Sequence, residues 1–211
     1  PSLSAEIIQK LDVQGNNRIS DETIRVYGDI ETGKNYTAFE VNEIIKKLYD
    51  TDFFKDLKVS LTNGVLKITV KEYSLINFID LQGEKSNKIK EGVLEKLQLR
   101  SKESFIENKL NQDMNLIKKI YATLGYNFVR VESKIERFDD NRLNLIYSLD
   151  KGKKTNIAKI NFIGDKKIKN KRLRDVIVSE ESKFWKFLSK NTFLNKNNIE
   201  LDKRLLVNYY K

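Results

Sequence analysis

Two acidic pairs and one basic run are the residues whose types and spacing could do chemistry. Asp21-Glu22 and Asp139-Asp140 are adjacent carboxylates, the kind of group that general acid–base work employs. The chain has no histidine and no cysteine, so a nucleophile–base set would need lysine or carboxylate substitutes. The first pair falls where a helix should start and the second in a turn, positions where carboxylates cap or are solvated. Gly15, Gly83 and Gly164 each stand alone, so no glycine-rich phosphate loop is present. These residues point away from an enzyme and away from any cofactor. Disulfides, thiol chemistry and Cys/His zinc sites are excluded outright.

The basic run comprises Lys166, Lys167, Lys169, Lys171, Arg172 and Arg174. Residues 153–211 hold 16 of the Lys/Arg and 6 of the Asp/Glu, whereas residues 1–152 hold 24 of each. All of the formal charge of +10 therefore sits in the last segment. Clustered cations neutralise phosphates, which makes a basic RNA-binding module one reading. Against it, no GxxG clamp or stacking array of aromatics accompanies the charge, so no nucleic-acid partner is expected. The run also reads as a solvated helix in a lysine-rich chain, or as a contact for an acidic partner or anionic head groups.

The elements that must position any site come in copies. Ile45-Lys46-Lys47-Leu48-Tyr49-Asp50-Thr51 returns as Ile117-Lys118-Lys119-Ile120-Tyr121-Ala122-Thr123, and a looser copy, Leu206 to Tyr210, closes the chain. Self-similarity at a long period signals tandem small domains. Leu11 and Val13 before Gly15, Ile79 and Leu81 before Gly83, and Ile160 and Phe162 before Gly164 share one alternating, strand-like frame. A short helix should follow each glycine, the first capped by Ser20. Thr37-Ala38-Phe39-Glu40 reads as a capping box for a second helix with Val41, Ile44, Ile45, Leu48 and Tyr49 on one face. Leu110, Met114, Ile117, Tyr121 and Leu124 make the equivalent stripe, with Gly125 as its left-handed terminator.

The period then changes to two. Leu57, Val59 and Leu61 alternate, Asn63-Gly64 is a strong hairpin signal, and Leu66, Ile68 and Val70 alternate back. Val129, Val131 and Ile135 lead through Asp139-Asp140-Asn141 to Leu143, Leu145, Tyr147 and Leu149. Each complete unit is thus β-α-α-β-β. The fold expected is α+β: a three-stranded mixed sheet under two antiparallel helices, the last strand central, the first parallel to it and the second antiparallel. The domains are drawn at residues 1–73, 74–152 and 153–211. The third has an opening strand over Thr155 to Ile163, a basic helix, an insertion holding Phe184, Trp185, Phe187 and Phe193, and a helix from about Ile199 to Tyr210. It lacks a final hairpin and is expected to be an incomplete copy, either leaning on a neighbour or only locally ordered. The opening Pro1 suggests a fragment or a processed chain, and no apolar run of about 18 residues could span a membrane.

Both outer strands of such a sheet are edges, whose unpaired amides and carbonyls can accept an extended peptide by β-augmentation. The candidate docking residues are Leu57, Lys58, Val59, Ser60 and Leu61 in the first unit. In the second they are Val129, Arg130, Val131, Glu132, Ser133, Lys134 and Ile135. The groove between each edge and its adjacent helix should supply apolar pockets. The alternative is that these strands merely complete their sheets, with Lys58 and Glu132-Ser133-Lys134 blunting the edge. The tyrosines at the helix ends, Tyr49, Tyr121 and Tyr209, read as packing residues.

This order of elements resembles the POTRA (polypeptide-transport-associated) domains, and in particular the first three in the periplasmic arm of outer-membrane protein assembly factors. The resemblance rests on Val13 to Ile19, on Leu48 to Val59 and on Ile160 to Asp165, and the aromatic insertion fits the long inter-helix loop of that family's third domain. It implies a non-enzymatic periplasmic scaffold, tethered to the outer membrane through a C-terminal barrel that this chain lacks. The partners implied are unfolded outer-membrane β-barrel proteins, a periplasmic chaperone and accessory lipoproteins. A two-partner secretion transporter carries the same domains and is the alternative within the superfamily. The missing hairpin removes the family's docking edge from the third unit.

Overall fold

The computed structural model describes residues 5–164, 167–183 and 190–211. Two compact units make up the chain. One comprises residues 1–78, 100–106 and 137–143; the other comprises 79–99, 107–136 and 144–211.

The first unit is built on a sheet of β2 (Lys10–Gln14), β4 (Phe54–Thr62) and β5 (Val65–Glu72) in the order β2-β5-β4. β5 is central, parallel to β2 and antiparallel to β4, as expected. Asn63 and Gly64 join β4 to β5 with φ of 52° and 76°, the double positive φ that a two-residue type I′ hairpin requires. The inner residues Leu66, Ile68 and Val70 of β5 are buried against α1 (Asp21–Tyr27) and α2 (Ala38–Tyr49) through Ile24, Ile44 and Leu48. Ser20 caps α1, and Thr37 and Glu40 form the complete capping box of α2. One element was not foreseen: a small ribbon in which β1 (Glu6–Ile7) pairs with β3 (Asn35–Tyr36).

The second unit holds most of a sheet ordered β6-β8-β7, formed by β6 (Leu75–Gln82), β7 (Arg130–Arg137) and β8 (Arg142–Asp150). Its helices are α3 (Asn87–Leu94) and α4 (Glu107–Thr123), followed by Gly125 at φ 92°. Leu81, Val93, Leu97, Leu110, Ile117, Tyr121, Leu145, Tyr147 and Leu149 are buried in its core. Gly83 shows why its position tolerates no side chain. At φ 91° an added Cβ would lie 1.9 Å from the Leu149 carbonyl oxygen of the central strand; Gly15 meets Val70 in the same way at 2.3 Å.

The strand expected over Thr155 to Ile163 does not form. Alternation marks a strand only when another lies alongside, and among the described residues no strand flanks this stretch. Gly164, the third glycine of the frame, accordingly has nothing within 4 Å of where its Cβ would be. The stretch is held by loops instead. Asn156 makes one bridge with Phe193, Ile157 N–H donates to Thr192 O at 2.8 Å, and Leu194 N–H donates to Thr155 O at 2.8 Å. α5 (Asn170–Val176) and α6 (Lys196–Tyr209) follow. This segment leans on the α4 end of its own unit: Thr155 N–H donates to Gly125 O at 2.9 Å, Asn127 Nδ2 to Leu194 O at 2.8 Å and Asn195 Nδ2 to Thr123 O at 3.2 Å. Lys154 Nζ sits 4.2 Å from the Phe193 ring centre. Phe184, Trp185 and Phe187 lie outside the described residues.

Candidate strand-docking edge

All five residues predicted for the first docking edge lie on β4, which has β5 on one side and, among the described residues, no strand on the other. Leu57 is buried and Val59 and Leu61 are half-buried, whereas Lys58 and Ser60 face solvent. Antiparallel ladders alternate between pairs that exchange hydrogen bonds and pairs that do not. The two-residue turn makes Thr62–Val65 the closing bonded pair, so the register places Lys58–Thr69 and Ser60–Lys67 in bonded pairs too. Leu57, Val59 and Leu61 fall in the other class, with N–H and C=O aimed outward along the open edge. Leu57 confirms this phase: its N–H leaves the sheet to donate to the Tyr49 hydroxyl, 3.2 Å away. Among the described residues no partner is seen for the outward amides of Val59 and Leu61.

Beside this edge runs a groove of about 260 Å³ between β4 and α2. Ala38, Val41 and Ile45 lie on its helix wall with Asn42, Val59 and Leu61 on its strand wall with Ser60, and Tyr36 and Thr37 also line it. The aliphatic residues project there because α2 turns positions 38, 41 and 45 to one side and β4 turns every second residue inward. Glu6 closes one end, its carboxylate accepting from the Gly64 N–H at the hairpin tip.

The second predicted edge is placed differently. Val129 precedes the strand, and Arg130, Val131, Glu132, Ser133, Lys134 and Ile135 lie on β7, which continues to Arg137. Val131 is buried and Ile135 half-buried, but Ser133 between them is exposed, so the aliphatic row is interrupted. Polar pairs occupy its surroundings: Arg130 to Asp150 at 2.8 Å, Lys134 to Glu136 at 2.8 Å, and Asn144 Nδ2 to Glu136 at 3.4 Å.

The basic run is not one helical face. Lys167 and Lys169 precede α5, Lys171 and Arg172 are exposed on it, and Lys166 lies outside the described residues. Arg174 is committed internally, donating to Ile160 O at 3.1 Å and pairing with Glu181 at 3.0 Å. The Ile160 amide, with Arg174 and nearby lysines, holds the Glu181 carboxyl below its ordinary range. The acidic pairs sit at the start of α1 and in the β7–β8 turn, where Glu22 pairs with Arg25 and Asp140 with Arg142.

Sequence reading missed the polar residues that act at long range. Glu72 on β5 accepts from the amides of Asn17, Arg18 and Ile19 at 2.9 to 3.2 Å, fixing the approach to α1. Asp113 does the same for Gln98 and Leu99, and Asp202 for Val178 and Ser179. Asp113 and Asp202 each sit eight residues before a tyrosine, Tyr121 and Tyr210, which is the one local signal that could have related them. Tyr49 had been read as packing only, yet its hydroxyl reaches the edge strand. Its repeat counterpart Tyr121 is buried and donates to Glu84 at 2.8 Å.

The elements β2-α1-α2-β4-β5 and β6-α3-α4-β7-β8 repeat one β-α-α-β-β order. Residues 75–152 match the model of the POTRA family, described as a surface antigen variable number repeat. Over nearly its whole length the chain is similar to BamA, the outer membrane protein assembly factor. It is 27% identical over 207 residues to that of Neisseria meningitidis serogroup B, covering 97% of this chain and 26% of the relative. It is 22% identical over 208 residues to that of Neorickettsia risticii, covering 98% and 28%. The chain thus spans about a quarter of the length of these relatives. Among solved structures it is similar to POTRA3-5 of Haemophilus influenzae BamA, with 18% identity, 99% of this chain and 88% of that one covered, and a TM-score of 0.44.

Proposed function

We propose that this chain is the substrate-receiving and scaffold arm of an outer-membrane β-barrel assembly factor, working in the periplasm. It is organised as POTRA-like units over residues 1–73 and 74–152 and an incomplete one over 153–211, within a longer protein whose membrane barrel tethers it. The observation that carries the reading is β4: outward amides and carbonyls at Val59 and Leu61, beside a groove under α2 that Ala38, Val41 and Ile45 help to line. Backbone pairing makes little demand on sequence, while a row of apolar pockets selects alternating apolar side chains. Those are the shared properties of unfolded barrel strands, and the similarity to outer membrane protein assembly factors supports that client class. A chaperone delivering clients and accessory lipoproteins are the further partners, with β7 from Arg130 to Ile135 as the second edge. No helix among the described residues is long and apolar enough to cross a membrane.

The test is a single proline. Val59 belongs to a pair that exchanges no hydrogen bonds with β5, so proline there removes an outward donor and leaves the ladder intact. Val59→Pro should retain the circular dichroism spectrum while a fluorescent peptide of alternating valine and threonine loses at least about tenfold in affinity. Equal affinity for the folded variant and the parent chain would remove β4 as the docking strand.

A further inference from the structure

We propose that the Tyr49 hydroxyl is a stop on the β4 edge that fixes the register of a docked strand. The inference rests on β4 being the docking edge and adds how an incoming segment is aligned on it.

The amides of Leu57, Val59 and Leu61 face outward on this side of β4, and among the described residues a partner is seen for the first alone. The Tyr49 hydroxyl lies 3.2 Å from Leu57 N, the place an incoming carbonyl oxygen would occupy to continue the ladder. Tyr49 is the last residue of α2 and is 41% exposed, so it lies outside the core. At the opposite end the Glu6 carboxylate is held on the Gly64 amide. The open edge between these two polar groups is Lys58 to Leu61.

Two constraints then act together on a visiting strand. Residues opposite Val59 and Leu61 turn their side chains toward Ala38, Val41 and Ile45, so they must be apolar. A slip by one residue would send every apolar side chain to solvent, and alternation alone forbids it. A slip by two residues preserves alternation, so the pockets cannot reject it. Toward Leu57 that slip requires breaking the Tyr49 bond, and the hydroxyl supplies the discrimination that the apolar wall lacks. This is a property of the individual site. Tyr121 stands at the same place in the second repeat but spends its hydroxyl on Glu84 at 2.8 Å.

The experiment uses the 211-residue chain, isotope-labelled, with a valine–threonine peptide carrying a nitroxide at one end. In the parent chain, peptide should protect the amides of Val59 and Leu61, leave Leu57 unchanged, and give one focus of nitroxide broadening. In Tyr49→Phe the Leu57 amide should become protected by peptide and a second focus should appear two residues along. Affinity should rise about threefold to tenfold, because the bound strand satisfies an amide left open in the free chain. In the peptide-free variant, Leu57 exchange should accelerate while Leu66 and Ile68 stay slow, which shows that the fold survives. Peptide protection of Leu57 in the parent chain, or the same register and affinity in Tyr49→Phe, overturns the stop while leaving β4 as the docking edge. Loss of protection at Val59 and Leu61 in both chains overturns the docking edge itself, and the stop with it.

Discussion

Glu84 shows how a single carboxylate is spent in this molecule. Burial would push its carboxyl up, but the Ser86 amide, the Tyr121 hydroxyl and the Lys151 ammonium outweigh that and hold it down to about 2. Its ordinary value is 4.5, so the folded state binds the proton more weakly than the unfolded chain does. The resulting stability is fully present above about pH 4.5 and is lost as pH falls toward 2, at most about 3 kcal/mol. Glu84→Gln should therefore lower the denaturation midpoint at neutral pH and flatten the acid limb between those values, read by urea melts across pH. The same network, through burial first and then the Glu84 bond, raises the Tyr121 hydroxyl above its usual range. At Gly15 the constraint is steric. Gly15→Ala places a methyl 2.3 Å from the Val70 oxygen at φ 85°, and should cost well over about 1 kcal/mol in a denaturant melt.

At the scale of elements, β4 and β5 carry the account, and proline scanning separates their two kinds of amide. Lys58 sits in a bonded pair with Thr69, so Lys58→Pro should break the ladder and destabilise by about 1–3 kcal/mol, in contrast to the proline at Val59 one residue on. Much of this layout was legible in the chain. Alternation at Leu57, Val59 and Leu61, the Asn63-Gly64 turn and the Thr37–Glu40 box are local signals; the turn and the box lie where they are read, while β4 begins at Phe54, before the alternation starts. What local signals do not carry is partnership across the fold. Thr155 to Ile163 alternates as well as Leu11 to Val13 does, yet forms no strand, and among the described residues no strand lies beside it. Tyr49 on Leu57 and Glu72 on the Asn17 to Ile19 amides join residues that only the folded chain brings together. β4 was therefore readable as a strand, whereas the Tyr49–Leu57 bond was not. Val129 fell outside β7, and Ser133 breaks the aliphatic row that the groove beside β4 keeps.

For the whole molecule, the net charge and the proposed docking edge lie in different places. The excess of cations is in residues 153–211, whereas the groove walls Ala38, Val41, Ile45, Val59 and Leu61 are apolar. Peptide affinity should accordingly change little between low and high salt; a steep loss with salt would point to the basic segment and a polyanion instead. Within the second unit, Phe193 packs against Gly125 and under Lys154, anchoring a segment that has no sheet of its own among the described residues. Phe193→Ala should speed tryptic cleavage at Lys153, Lys154 and Lys159 while the Tyr121 core stays protected.

The most direct measurement is amide hydrogen exchange along β4 in the 211-residue chain, with and without a saturating valine–threonine peptide. Without peptide, the amides of Lys58 and Ser60 should exchange slowly because they bond to β5, while Val59 and Leu61 exchange fast. With peptide, Val59 and Leu61 should slow by about tenfold or more, as a new ladder closes over them. Peptide bound at saturation with Val59 and Leu61 still exchanging fast would contradict strand addition at this edge.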